Sequence, residues 1–343
     1  MGGIHAIPSP EILVLVQERL SALRRDHPDL AEQCRLITDE DGLLDCRVPE
    51  AVGAVLLSSA AQCWPYKLVS WVLEKLLEGK QSDAEPKRAG QLFNLQTKTP
   101  VMHLQKSGES WIVHTARGQI AASHVLLATN AHTSYLLPKL SNVIVPVRGQ
   151  VCALRPPKDS TLLTHIYAWV TDGSESDDYL IERLSGELIL GGERMTSSTA
   201  EVGISHDDEV NPVVGQHLRC ALSRALDLSP SHTGKGGDSC LDAAFEWTGI
   251  MGYSKDGYPW VGRVPSSLSG AVEGSGLWLS AGYTGHGMPV AARCGIAVAQ
   301  RITGQLNPVK IPAQYHITED RILKARHLEF VGTIEDLKIC LGG

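Results

Sequence analysis

Glycines stand at 282, 285 and 287 in the stretch Ser280-Ala281-Gly282-Tyr283-Thr284-Gly285-His286-Gly287-Met288. Before it lies a short apolar run (Leu277, Trp278, Leu279), and after it small residues recur at helical spacing (Ala291, Ala292, Gly295, Ala297, Ala299). The pattern predicts a strand, a glycine turn and a helix running to about residue 303. Such a turn aims free backbone N–H groups and a positive helix end at whatever lies above it. The chemistry expected of Gly285, His286, Gly287 and Met288 is therefore the holding of negative charge. A plainer reading has equal weight here: the glycines let a helix pack closely on a strand and bind nothing.

Other side chains are candidates by type. Arg148 and Arg194 could pair with a substrate carboxylate, with a structural salt bridge as the commoner alternative. Trp247, Tyr253, Tyr258 and Tyr283 could line a pocket, although aromatics near a sheet are more often core. No general base is assigned, so the catalytic residues stay unknown. The eight cysteines never form C-x-x-C and read as buried thiols of a reducing compartment, with no metal site. Gly234-Lys235-Gly236-Gly237 lacks the spacing and the following Ser or Thr of a phosphate loop and reads as a plain loop.

The elements that would position these residues alternate between helix and strand. Helices are expected from Pro10 to Arg25, Tyr66 to Glu78 and Pro212 to Leu226. Strands are expected near 92–105, 110–116, 119–128, 147–155, 165–170, 178–183 and 187–191. Gly79 to Arg88 reads as an exposed loop, Arg263 to Gly276 as a loop before the final strand, and Thr318 to Phe330 as an outer helix without chemistry. At 343 residues, 43% hydrophobic and 20% charged, the chain has room for two domains. A net charge of −7 disfavours nucleic-acid and anionic-membrane partners. With no apolar run of membrane-spanning length, the expected location is the cytoplasm.

About thirty residues before the glycine turn stands Trp247-Thr248-Gly249-Ile250-Met251-Gly252-Tyr253-Ser254-Lys255-Asp256-Gly257-Tyr258-Pro259-Trp260-Val261-Gly262. The two stretches together resemble the C-terminal flavin motifs of FAD-dependent oxidoreductases of the D-amino-acid oxidase type. Val125-Leu126-Leu127-Ala128-Thr129-Asn130-Ala131 is similar to the strand and turn closing the FAD domain there, and Trp64-Pro65-Tyr66-Lys67-Leu68-Val69 to a helix of fungal members. The likeness runs, with gaps, from about residue 40 to about residue 315.

The resemblance implies an α/β plus α+β fold: an incomplete FAD/NAD(P)-binding Rossmann-like domain with an antiparallel-sheet substrate domain. Residues 1–63 would hold part of the FAD domain and the first substrate-domain segment. Residues 64–141 would return to the FAD domain, 142–270 form the substrate domain, 271–315 supply the last FAD-domain strand and helix, and 316–343 a tail. It implies non-covalent FAD held by Val101, Ala128, Thr129, Asn130, Met251, Gly282, Gly285, His286, Gly287 and Met288. Met251 falls near the position where some amine-oxidising relatives carry a flavin-linked cysteine. The substrate expected is a small amine or amino acid oxidised at a C–N bond by hydride transfer to flavin, with Arg148, Arg194, Tyr253 and Tyr283 as its candidate contacts. Pro289 replaces a lysine that grips the substrate carboxylate in some members.

The departure is at the front. The family's opening strand, Gly-x-Gly-x-x-Gly turn and helix have no counterpart, a gap on the order of 50 residues. Gly2 and Gly3 are read either as the remains of a glycine-rich segment or as the start of a substitute loop. The competing expectation is a truncated, non-catalytic homologue or incomplete gene product unable to hold FAD.

Overall fold

A computed structural model describes residues 2–78, 93–170, 177–229, 240–270 and 276–328. The strands are β1 (Gly2–Ile7), β2 (Cys34–Ile37), β3 (Gly53–Leu57), β4 (Val101–Ser107), β5 (Ser110–Thr115), β6 (Gly118–Ala122), β7 (Val125–Leu127), β8 (Ile144–Leu154), β9 (His165–Val170), β10 (Asp177–Glu182), β11 (Leu188–Gly192), β12 (Ala243–Ser254), β13 (Trp260–Arg263) and β14 (Leu277–Ala281). The helices are α1 (Pro10–Asp26), α2 (Pro28–Ala31), α3 (Glu40–Asp45), α4 (Pro65–Leu77), α5 (Thr133–Leu136), α6 (Pro212–Cys220), α7 (Leu222–Ala225), α8 (Ser266–Ser269), α9 (Ala291–Ile302) and α10 (Glu319–His327).

The largest unit is an eight-stranded sheet in the order β12-β8-β11-β10-β9-β1-β3-β2. Its pairs are antiparallel except β1 with β9. Alternation along the strands sends Cys152, Leu154, Leu180, Leu188 and Leu190 to one face, where Val214 and Leu218 of α6 and Leu222 of α7 close the core. Part of the opposite face is covered by α1, whose Leu20 packs with Ile7 and Val55. Ser9 caps α1 by accepting from the Ile12 N–H at 3.4 Å; Pro10 opens the first turn, and Arg24 and Arg25 face the negative helix end.

The second unit is the sheet β13-β14-β7, with β14 antiparallel to β13 and parallel to β7. All five residues of β14 are buried, as expected of a strand covered on both faces. One face meets Cys294, Ala297 and Val298 of α9, and the other meets Trp111, Leu140, Ile144 and Trp260. The third sheet, β4-β5-β6, is an antiparallel meander turning at Gly108 and Gly118, both at positive φ.

Several expectations are corrected. Gly2 and Gly3 do not start a substitute loop but lie in β1: they pair with His165 and Ile166 on one side, and Gly3 with Leu57 on the other. A Cβ at Gly2 would sit 2.9 Å from the Leu57 carbonyl, so the glycine serves close strand packing. The strand expected from 92 begins at Val101. The strand expected over 119–128 divides because the chain turns at Ser123, whose carbonyl would lie 2.0 Å from a Cβ on Gly276. The helix expected over 212–226 breaks at Ala221, where the Arg219 carbonyl is taken by the Leu241 N–H at 2.8 Å. Cys220 and Cys240 are joined in a disulfide rather than being free thiols, while Cys46, Cys152 and Cys294 are buried thiols. The loop expectations for 79–88 and 234–237 fall outside the described residues. Among the described residues, no helix is long and apolar enough to cross a membrane.

Candidate active site

Three segments far apart in sequence interlock where the eight-stranded sheet meets the β13-β14-β7 sheet. Asn130, at the end of β7, has φ +42°, a conformation Asn tolerates better than most residues. Its Oδ1 accepts from the Gly282 N–H at 3.0 Å and the Tyr283 N–H at 3.4 Å. The Thr284 N–H donates to the Gly252 carbonyl at 2.8 Å, and the Ser254 N–H returns a bond to Thr284 Oγ1 at 3.0 Å. Residue 252 must be glycine, since a Cβ there would lie 2.6 Å from Asn130 Oδ1 and 2.8 Å from the Ala131 nitrogen. The motifs paired by the sequence are thus physically one structure.

Within the turn, Gly282, Thr284 and Gly285 all have positive φ. The His286 N–H returns to the Tyr283 carbonyl at 2.8 Å, and the His286 ring lies with Nδ1 2.7 Å from the Thr284 carbonyl. The N–H groups of Val290 and Ala291 both take the Gly287 carbonyl. This leaves the N–H groups of Gly285, Gly287 and Met288 without a partner among the described residues. α9 begins at Ala291, where the small residues at helical spacing begin, and Val290 before it sits outside helical geometry at φ −123°.

The turn borders a cavity of about 560 Å³, into which Gly285 and His286 open from one side. The sheet supplies the rest, including His5, Tyr179, Arg194, Trp247, Gly249, Met251 and Tyr253. The Arg194 guanidinium lies 5.3 Å from the centroid of the Tyr253 ring. Its Nη1 reaches the Ala200 carbonyl at 3.4 Å, and no carboxylate pairs with it among the described residues. Beside the cavity, Asp178 is buried and accepts from the Glu193 N–H at 2.9 Å; burial raises the Glu193 carboxyl above its ordinary range.

The remaining candidates lie elsewhere. Arg148 is buried behind the sheet in ion pairs with Glu201 at 2.6 Å and Glu209 at 3.0 Å, the structural alternative already weighed. Tyr283 turns its hydroxyl away from the cavity to Ser280 at 2.7 Å, and burial pushes it up to about 12. Tyr258 stacks near Tyr315 at 6.2 Å. Val101 opens β4 and pairs with Thr115, Ala128 is exposed, and Thr129 bonds Thr133 at 2.9 Å; none of these lines the cavity.

Sequence reasoning missed two groups. His5 and Tyr179 reach the cavity only through strand pairing across the large sheet. Arg321, in the outer helix read as inert, grips both oxygens of Asp256 at 2.7 and 3.0 Å and the carbonyls of Tyr258 and Pro259. Its guanidinium also stacks 3.8 Å from the Trp260 ring centroid. No spacing in the sequence signals this clamp.

Comparison with known proteins follows the same lines. The chain is 25% identical over 206 residues to glycine oxidase of Bacillus subtilis (strain 168), an alignment covering 60% of this chain and 47% of that protein. It therefore spans about half the length of the curated relatives it matches. Among solved structures, glycine oxidase from Geobacillus kaustophilus superposes with a TM-score of 0.69 at 19% identity, covering 93% of this chain and 74% of that one. L-proline dehydrogenase from P. horikoshii gives 0.67 at 17%, covering 96% and 78%. The family model described as FAD dependent oxidoreductase (DAO) matches residues 3–301. With most of its length inside that match and its fold shared with these flavoenzymes, the chain belongs to the DAO family of FAD-dependent oxidoreductases.

Proposed function

We propose that this chain carries out flavin-dependent oxidation of a C–N bond in a small amine or amino acid. The observation that carries the reading is a turn in which the N–H groups of Gly285, Gly287 and Met288 have no partner among the described residues and whose Gly285 and His286 line the cavity that contains Arg194. The residues fit the ring end of a flavin: the turn is a cradle in which a Cβ at Gly285 would meet the Tyr253 hydroxyl at 3.3 Å and the Met251 sulfur at 3.8 Å. Bound flavin would supply the hydride acceptor. The chain would then supply preoriented N–H donors for negative charge on the reduced ring, a cation for a substrate carboxylate, and a cavity that limits water. FAD would be non-covalent, since Met251 offers no linking thiolate. Relatives named for glycine and proline favour an amino-acid substrate. The non-catalytic alternative gains no support from them.

The test is the absorption spectrum of the purified chain after incubation with FAD and desalting, followed by anaerobic addition of an amine panel. Retained flavin bands that bleach with an amine are expected. A colourless protein, or a flavin that no amine reduces, would sink the proposal.

A further inference from the structure

The cavity is a trough along one strand. Trp247, Gly249, Met251 and Tyr253 alternate on the same face of β12 and all line it. Tyr253, beneath the Arg194 guanidinium, and Trp247 are six residues apart, roughly 20 Å at about 3.3 Å per residue. Between them on β12, Gly249 carries no side chain, while the Met251 methyl lies over Gly149, 2.8 Å from where a Cβ would sit, and Trp169, Asp178 and Tyr179 wall the cavity from the other strands. Gly249 pairs with Gly149 across β12 and β8, and a Cβ at Gly249 would meet nothing within 4 Å. At the far end the Trp247 indole is 43% exposed although it faces a cavity, with Val151 opposite it in register. One end thus offers a cation beside a phenol ring, the middle an open floor edged by Met251, and the far end an uncovered aromatic face.

A glycine-sized ligand would leave the floor and the indole uncovered. The cavity of about 560 Å³ would hold the flavin ring at its Gly285 end, and the floor at Gly249 and the Trp247 indole are left for the substrate. We infer that the trough selects amino acids bearing a long apolar arm that ends in a ring: Arg194 takes the carboxylate, the arm lies over Gly249 and along Met251, and Trp247 covers the ring. The inference names the substrate class for the amine oxidation proposed above and rests on that reading. Gly249 and Trp247 are specificity-determining residues that take no part in holding flavin.

The test is calorimetric titration of the purified chain, with and without FAD, using N-methylglycine, N-benzylglycine and N-(4-phenylbutyl)glycine. Affinity should rise along the series, with at least a tenfold gain for the longest arm. Trp247→Ala should abolish the gain. Gly249→Leu, whose Cβ has steric room, should block the long arm and bring its affinity down to that of N-methylglycine. Circular dichroism melts of both variants would exclude misfolding as the cause. A flat series, absence of binding by any member, or a gain that survives both substitutions would overturn the inference. Binding as expected without flavin reduction would leave the trough assigned and reject the oxidase reading.

Discussion

The Arg148 guanidinium meets Glu201 and Glu209, residues that follow it by more than fifty positions, and both Arg148 and Glu201 are nearly sealed from solvent. Burial alone would raise the Glu201 carboxyl, but bonds from Asn211 and Arg148 outweigh it and hold the group below the ordinary carboxylate range. A depressed carboxyl contributes stability above its unfolded value and loses it as pH falls through the lower, folded one. Glu201→Gln should cost about 2 kcal/mol in urea unfolding at neutral pH, because it removes the buried carboxylate and leaves the Arg148 guanidinium with the exposed Glu209. The deficit should shrink below pH 4 as the native carboxyl protonates. Arg148 also shows why charge alone misleads: its type suggested a ligand contact, but its partners were decided by tertiary packing. Arg194 has the same type and lies against Tyr253 in the cavity. Only the fold separates the two.

At the level of elements, the glycine turn was readable in advance because backbone N–H groups need glycine and spacing, not a particular side chain. Asn130 ties β7 to this turn through two bonds to one oxygen. Asn130→Ala should remove both and also strain the left-handed backbone, for a loss of about 2 kcal/mol. The same variant should retain less FAD after desalting than the parent chain. A melt and spectrum matching the parent would contradict the role given to Asn130. In the large sheet β8, β9, β10 and β11 were legible from alternation and turn residues, whereas β1 and β12 were not among the expected strands and His5 and Tyr179 were not identified as site residues. Their place in the cavity follows from pairing across β1, β9 and β10, which no local pattern encodes.

For the whole molecule, the notable surface is around α4. No residue of this helix is buried, and Leu68, Val69, Trp71, Val72, Leu76 and Leu77 are all exposed. A helix this apolar belongs to a covered layer, and so much uncovered apolar area drives association. Among the described residues β7 also has one unpaired edge, which is a further route to association. Light scattering should show self-association that grows with concentration, and Val69→Glu with Trp71→Lys should suppress it. A monodisperse monomer at high concentration would refute this.

The parallel pairing of β1 with β9 joins residues 2–6 to residues 165–169. During synthesis β1 therefore waits until β9 has been made before that partner exists, and β3 holds it meanwhile. Closing so long a loop is an entropic cost met before the central contacts repay it. Until then β1, β3 and β2 form a fragment with two open edges, one of them the edge that β9 later covers, so the emerging chain is most exposed to misassociation while the middle of its largest sheet is unfinished.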